Sequence, residues 1–451
     1  MNKLNRSMLE GPLFPSIIRY TIPIICTSIL QLLFNAADMI VVGRYCGSAS
    51  VGAVGATGSL TGLIVNFFIG LSVGTGVTVA HAIGAGEDDA VSKTVHTTIP
   101  IALICSCILT FLGIAFSKDM LILMATPDNL LPLSSVYMKI YFSGVIFTML
   151  YNFCASILRA AGDTKSPLIF LCISGVLNVV LNLIFVIYFD MNVGGVALAT
   201  VISQAVSAVL VIIALTRRTD SCKLSLRKIR FYKSQILKIL RIGLPSGFNS
   251  SLFAISNVMI QSSVNSFGDV LVSGSSAAGS IEGFVYVALN AFAQTSVNFV
   301  GQNYGARRYD RILKVVLTCL GSVVVLGLFL GSIVYIFAPT LLSFYITDSP
   351  EAISYGILRI TYVCIPYFLC GMMDVTTSSL RGIGSSVTPM FITVLGVCGI
   401  RIGWILTLFQ LPQFHTPDGL FISYPVSWAI TFVIEFIVFI LLFRRKRRLN
   451  Q

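Results

Sequence analysis

Ser156–Pro167 reads SILRAAGDTKSP, and Ser378–Pro389 reads SSLRGIGSSVTP. Five of these twelve positions are identical at an offset of 222: Ser156/Ser378, Leu158/Leu380, Arg159/Arg381, Gly162/Gly384 and Pro167/Pro389. Outward from this pair, GSLTG at Gly58 faces GSIEG at Gly279, and Gly84-Ala85 faces Gly305-Ala306, both at offset 221. Pro23 and Pro245 mark the same point near the start of each half. Four matches in order at a nearly constant offset indicate a duplication. Between the copies lies Arg217–Arg241, RRTDSCKLSLRKIRFYKSQILKILR, which holds nine of the thirty Lys and Arg residues.

Each copy is oily. Hydrophobic residues make up 56% of the chain and charged residues 11%, against about 25% charged in an ordinary globular protein. Mean hydropathy is +0.90. The first half offers apolar spans near 16–42, 51–80, 95–116, 134–157, 166–189 and 194–216. The second offers them near 239–266, 276–300, 312–337, 353–378, 388–411 and 420–443. Each is long enough for a bilayer core of about 30 Å. The first run, from Ile17, far exceeds a signal-peptide core of roughly 7–15 residues, so no cleaved leader is expected. The predicted fold is an all-α integral membrane protein with twelve transmembrane helices in two pseudo-symmetric six-helix bundles. Its parts are an N-terminal lobe (1–216), a basic cytoplasmic linker (217–238) and a C-terminal lobe with a basic tail (239–451). An even number of spans per half gives both halves the same orientation, and a cavity near mid-depth between the bundles is expected.

The net charge of +12 invites a nucleic-acid reading, but its distribution points to a membrane. With a cytoplasmic N-terminus, every Lys and Arg except Arg44, Lys118, Lys139, Arg359 and Arg401 falls on the cytoplasmic side. That asymmetry is the positive-inside pattern. RRKRR at Arg444–Arg448 directly follows a span and reads as an anchor. The eleven cysteines include no CxxC, and His81, His96 and His415 are dispersed, so neither a disulfide framework nor a metal cluster is expected. No GxxxxGK[ST] loop occurs, which argues against direct ATP-driven pumping.

Ionisable groups within the hydrocarbon region are costly and are functional candidates by default. Of eighteen Asp and Glu residues, four lie deep in spans: Asp38, Glu282, Asp374 and Glu435. Asp38 shares a helix face with Asn35 and Gln31. Asn178 and Asn182, at i and i+4 on the fifth span, present two amides able to hydrogen-bond a carboxylate. Such an Asp can exchange a proton, or bind a cation such as Na⁺ with amide oxygens as co-ligands. Glu282 stands where the first half has Thr61, and Asp374 where it has Asn152. Glu435 is close enough to the basic tail to pair with it, and Arg401 to neutralise a carboxylate of the second lobe. Aromatics such as Tyr137, Tyr141, Phe284 and Tyr286 suit bulky cations through cation–π contacts.

Taken with the twelve-span duplication, NAADMIVVGRY around Asp38, GQNYGA at Gly301, AHAIGAG at Ala80 and the paired LRAAGDTKSP and LRGIGSSVTP carry a resemblance. Over essentially its whole length the chain resembles the multidrug and toxic compound extrusion (MATE) family of antiporters. The resemblance implies two six-helix lobes that export organic cations and related drugs in exchange for H⁺ or Na⁺. It implies a first-lobe acidic site at Asp38, with Asn178 and Asn182 as its polar pair. The second lobe departs from the sodium-coupled branch: Phe253 stands where that branch has a Glu, and Asp374 falls about one turn after its Asp.

The ion-coupling and substrate candidates are therefore Asp38, Gln31, Asn35, Asn178, Asn182, Tyr141, Glu282 and Asp374. The expected function is secondary-active efflux in a bacterial plasma membrane, with both termini cytoplasmic. No cofactor is expected, and the chain is expected to act as a monomer without nucleic acid. A flippase for lipid-linked precursors is the alternative transport reading, although it favours more spans and more deep basic residues. A membrane-embedded enzyme is a third, but Glu87-Asp88-Asp89 has no second acidic motif to pair with.

Overall fold

The computed structural model describes residues 8–124, 126–347 and 349–449. The described residues are helical apart from short connections, without a strand among them. The first half runs α1 (Leu13–Tyr45), α2 (Ser48–Ala85), α3 (Asp88–Ala115), α4 (Ser117–Leu123), α5 (Leu131–Ser143), α6 (Val145–Ala160), α7 (Lys165–Leu183) and α8 (Asn192–Thr216). The second half repeats the order with α9 (Lys233–Asn265), α10 (Asp269–Gly305), α11 (Tyr309–Ile336), α12 (Ala338–Ser343), α13 (Pro350–Val363), α14 (Tyr367–Gly382), α15 (Val387–Thr393), α16 (Ile400–Leu406), α17 (Pro417–Phe421) and α18 (Ser423–Leu449).

Among the described residues nine helices are long and apolar enough to cross a bilayer, and eleven spans result when two bent pairs each count as one. Those pairs are α5–α6, bent by 47°, and α13–α14, bent by 43°. They occupy equivalent places in the two halves. α9 supplies the twelfth rod; its second part, GFNSSLFAISNVMIQSSVN from Gly247, is studded with Asn, Ser and Gln. Hydropathy alone therefore undervalues it.

The duplicated motif has a backbone reason. Gly162 and Gly384 adopt φ 87° and 79° just past α6 and α14. Asp163 N–H donates to the Leu158 carbonyl at 2.8 Å, and Gly162 N–H to that of Arg159 at 2.9 Å. In the second half Ser385 N–H donates to Leu380 at 2.9 Å and Gly384 N–H to Arg381 at 2.8 Å. Both are left-handed helix caps that satisfy otherwise orphaned carbonyls, and a side chain at either glycine would strain them.

The chain forms two compact units: Ile22–Gly247, and Phe248–Gln451 together with the start of α1 up to Thr21. The passage from one unit to the other lies inside α1 and inside α9, beside Pro23 and Pro245, and not at 217–238. That basic stretch is built into the first unit. Cys222 and Leu224 are buried in a core cluster with Val91, Val95, Ile157 and Leu215. Ser225 N–H donates to His96 Nε2 at 3.0 Å, and Leu224 N–H to the Leu215 carbonyl at 3.0 Å. Within the same unit α2 and α9 meet backbone to backbone. A Cβ on Gly74 would sit 2.2 Å from the Ile239 carbonyl oxygen, and one on Gly70 2.6 Å from Gly247 Cα.

Candidate functional site

In the first unit the polar residues converge. Asp38 lies half-buried on α1, and Asn182 Nδ2 donates to its Oδ1 at 2.5 Å. The same amide reaches Asn178 Oδ1 at 3.3 Å, and Asn178 Nδ2 reaches Thr200 Oγ1 on α8 at 3.4 Å. Asn178 and Asn182 come together because a four-residue spacing places them on one face of α7. α7 then passes directly into a π-helical turn, Ile184–Tyr188, a local irregularity often found at functional sites. Asn182 is fully buried, yet its Oδ1 has no hydrogen-bond partner. A carboxylate and an unpartnered amide oxygen thus sit on one polar chain, an arrangement that favours a proton or a small cation.

Tyr137 stacks on Tyr141 with centroids 6.3 Å apart and lies within electrostatic reach of Asp38. Gln31 and Asn35 are exposed on the Asp38 face of α1 and take no part in this chain of hydrogen bonds. Thr200 is an addition that sequence reading missed. A lone threonine on an apolar span carries no pattern.

The second unit is not a copy of this arrangement. Asp38 at an offset of 222 corresponds to Ile260, so its carboxylate has no counterpart. Glu282 instead accepts from Arg359 Nε at 3.1 Å and Nη2 at 2.9 Å through one oxygen. Arg359 Nη1 also donates to Ser275 Oγ at 2.6 Å, and Tyr367 OH faces the other Glu282 oxygen at 3.4 Å. Both side chains of this ion pair are 11% exposed. Glu282 is thereby a neutralised acid. Arg359, one turn along α13 from Gly356, and not the Arg401 expected from the sequence, neutralises this carboxylate.

Asp374 has a separate setting. Asn290 Nδ2 lies 3.3 Å from its Oδ2, and Gln294 Nε2 donates to Asn290 Oδ1 at 3.2 Å. Tyr286, Asn290 and Gln294 form an i, i+4, i+8 ladder on α10 that the sequence reading did not single out. Its spacing was visible. Asn152, the first-half counterpart of Asp374, only donates to the Thr148 carbonyl at 2.8 Å on its own helix.

Glu435 is completely buried and does not pair with the basic tail. It accepts from Thr377 Oγ1 at 2.8 and 2.7 Å and from Thr393 Oγ1 at 2.9 Å. Lys446 of that tail instead donates to the Ile383 carbonyl. Among the described residues no group of three His, Cys, Asp or Glu is arranged to hold a metal ion.

The family model described as MatE matches residues 23–184 and 245–405, one match in each copy of the repeat. A probable multidrug resistance protein of Bacillus subtilis, YoeA, is 25% identical over 95% of this chain and 94% of its own. The probable multidrug resistance protein NorM of Thermotoga maritima is 25% identical over 86% of this chain and 83% of its own. In three dimensions the chain is similar to an outward-facing multidrug resistance MATE transporter of the MOP superfamily, with TM-score 0.92, 20% identity and 99% of each chain covered.

Proposed function

This chain belongs to the MatE family, and from that premise we propose that it is a secondary-active multidrug exporter that exchanges organic cations for H⁺ or Na⁺. It is a multi-pass membrane transporter. We place it in a bacterial plasma membrane, with both termini and the basic stretch facing the cytoplasm. The flippase reading has no support, since relatives matched over 94% and 83% of their own length carry multidrug-resistance names.

One observation carries the coupling assignment: the Asp38 carboxylate bonded to Asn182, whose own amide oxygen is unpartnered. A coupling group must hold its ion in one state and release it in another, and a membrane-embedded carboxylate with few fixed partners does so. Glu282, already neutralised by Arg359, and Glu435, held by two threonines, are less available for that work. An ion that moves inward down about 100 mV releases about 2.3 kcal/mol. That sustains a gradient of roughly 40-fold for a neutral solute at about 1.4 kcal/mol per factor of ten. For a monovalent cation exchanged one for one the potential cancels, and the chemical gradient of the ion drives export.

Proteoliposome efflux of a lipophilic monovalent cation, with pH and Na⁺ gradients imposed separately, tests the proposal. One of the two gradients alone should drive efflux. Transport indifferent to both would overturn it.

A further inference from the structure

Arg401 sits on α16 of the second unit at 1% exposure. Its Nε donates to Ser427 Oγ at 3.0 Å and its Nη1 to Asn257 Oδ1 at 3.2 Å. Both partners are neutral, and Nη2 has no partner at all. Glu282, an acid of this unit, is already bound by Arg359, and Asp374 takes its hydrogen bond from Asn290. Among the described residues Arg401 therefore has no carboxylate within ion-pair distance.

Around it stand aromatic rings. The guanidinium carbon lies 4.3 Å from the Tyr424 centroid, 5.5 Å from Trp428 and 5.9 Å from Phe253. Ring faces attract a cation, but they do not replace the in-plane hydrogen-bond acceptors that a guanidinium needs. Trp428, 2% exposed, carries the second anomaly: its indole Nε1 is buried and also unpartnered. Two neighbouring side chains thus each hold an unsatisfied N–H donor, and one of them bears a charge. Buried charges are normally paired, and unsatisfied buried donors are rare.

We infer that the second unit holds a small-anion site, in which Arg401 Nη2 and Trp428 Nε1 bind a monatomic halide, chloride or iodide. Both residues supply donors and no acceptor, so a cation finds nothing there to coordinate. Their near-complete enclosure restricts the occupant to a compact, weakly hydrated ion and disfavours an organic acid. The anion neutralises Arg401 as Glu282 neutralises Arg359. It is independent of the coupling ion and of the exported compound.

The chain has only two tryptophans, Trp404 and Trp428, and the Trp404 indole already donates to the Gly419 carbonyl at 2.8 Å. The full-length Trp404→Phe variant in detergent therefore reports on Trp428 alone. Iodide, exchanged for gluconate at constant ionic strength, should quench Trp428 saturably, and chloride should restore the emission by competition. Adding Arg401→Gln should abolish the saturable part and leave collisional quenching that rises linearly. Should that double variant not fold, Trp428→Phe serves instead, since Trp404 alone must show linear quenching only. The unaltered protein should also melt about 3 °C higher in saturating chloride than in gluconate. Linear quenching of Trp428 with Arg401 intact, or equal melting in the two salts, overturns the inference.

Discussion

Asn182 donates to the Asp38 carboxylate at 2.5 Å while its own Oδ1 accepts nothing. The pair joins α1 to α7 through one hydrogen bond, and it leaves acceptor capacity unused within the protein. A proton or cation held at Asp38 would meet that spare capacity.

Replacing Asp38 by Asn keeps the size and removes the titratable charge. Membrane levels should stay normal, and ion-gradient-driven accumulation of a monovalent cation should fall to the level seen without a gradient. Everted vesicles with a fluorescent cation measure it. Wild-type pumping by Asp38→Asn, together with inactive Glu282→Gln or Asp374→Asn, would move coupling to the second unit.

Glu282→Gln is expected to act on stability first. It leaves Arg359 charged and nearly enclosed beside Ser275 and Tyr367, a loss of about 3–5 kcal/mol for a buried pair broken on one side. Joint replacement by Glu282→Met and Arg359→Leu should cost less than the two single changes added together. Thermal unfolding of the purified variants gives the four values of this cycle.

Gly74→Ala and Gly58→Ala should differ sharply. The first drives a methyl against the Ile239 carbonyl and the Gly243 backbone, whereas the second meets nothing within 4 Å. Overpacking of this kind costs about 1–3 kcal/mol or more when backbone must shift. Expression and melting of the two variants in parallel would reveal it, with Gly58→Ala close to the parent protein.

The basic stretch should label unevenly. On a cysteine-less background, Ser221→Cys should react only from the cytoplasmic side, and periplasmic reactivity would refute the orientation. Cys222, one residue on and kept as the sole cysteine of a second variant, is 2% exposed; burial, aided by the charge of Asp220, pushes its thiol up to about 12, so it should resist maleimide. Acidification should release it. Burial pushes the Asp220 carboxyl up, but the hydrogen bonds and charge of Arg218 and the Cys222 N–H outweigh that and leave it below its ordinary 3.8. A group lowered on folding stabilises above its unfolded value and stops doing so as pH falls through its folded value. Docking should therefore persist at neutral pH and loosen below about pH 4. Asp220→Asn should expose Cys222 at neutral pH.

The repeat, the long apolar helices and the Asp38 neighbourhood were legible because each rests on periodicity or local spacing. Gly162 and Gly384 match since both close the same left-handed cap, and Asn178 and Asn182 converge since four residues make one helical turn. Arg359 was not legible as the partner of Glu282, because 77 residues separate them and only packing of α10 on α13 brings them together. The same holds for Glu435. Its nearness to Arg444 in sequence suggested the tail, but Thr377 and Thr393 reach it from other helices. The two stretches of π-helix, Ile184–Tyr188 and Val394–Gly399, carry no compositional mark.

The unit boundaries inside α1 and α9 bear on how the chain can be divided. Each copy of the repeat lends part of its opening helix to the other copy's unit: residues 8–21 belong with the second, and Lys233–Gly247 with the first. Severing the chain within the basic stretch would therefore not release two self-sufficient lobes. A fragment ending near residue 232 would lack the helical segment that covers Gly70 and Gly74, and the remainder would lack the residues that meet Arg308 and Arg311. A duplication that began as two equal halves has become, through this exchange of ends, a single indivisible inheritance.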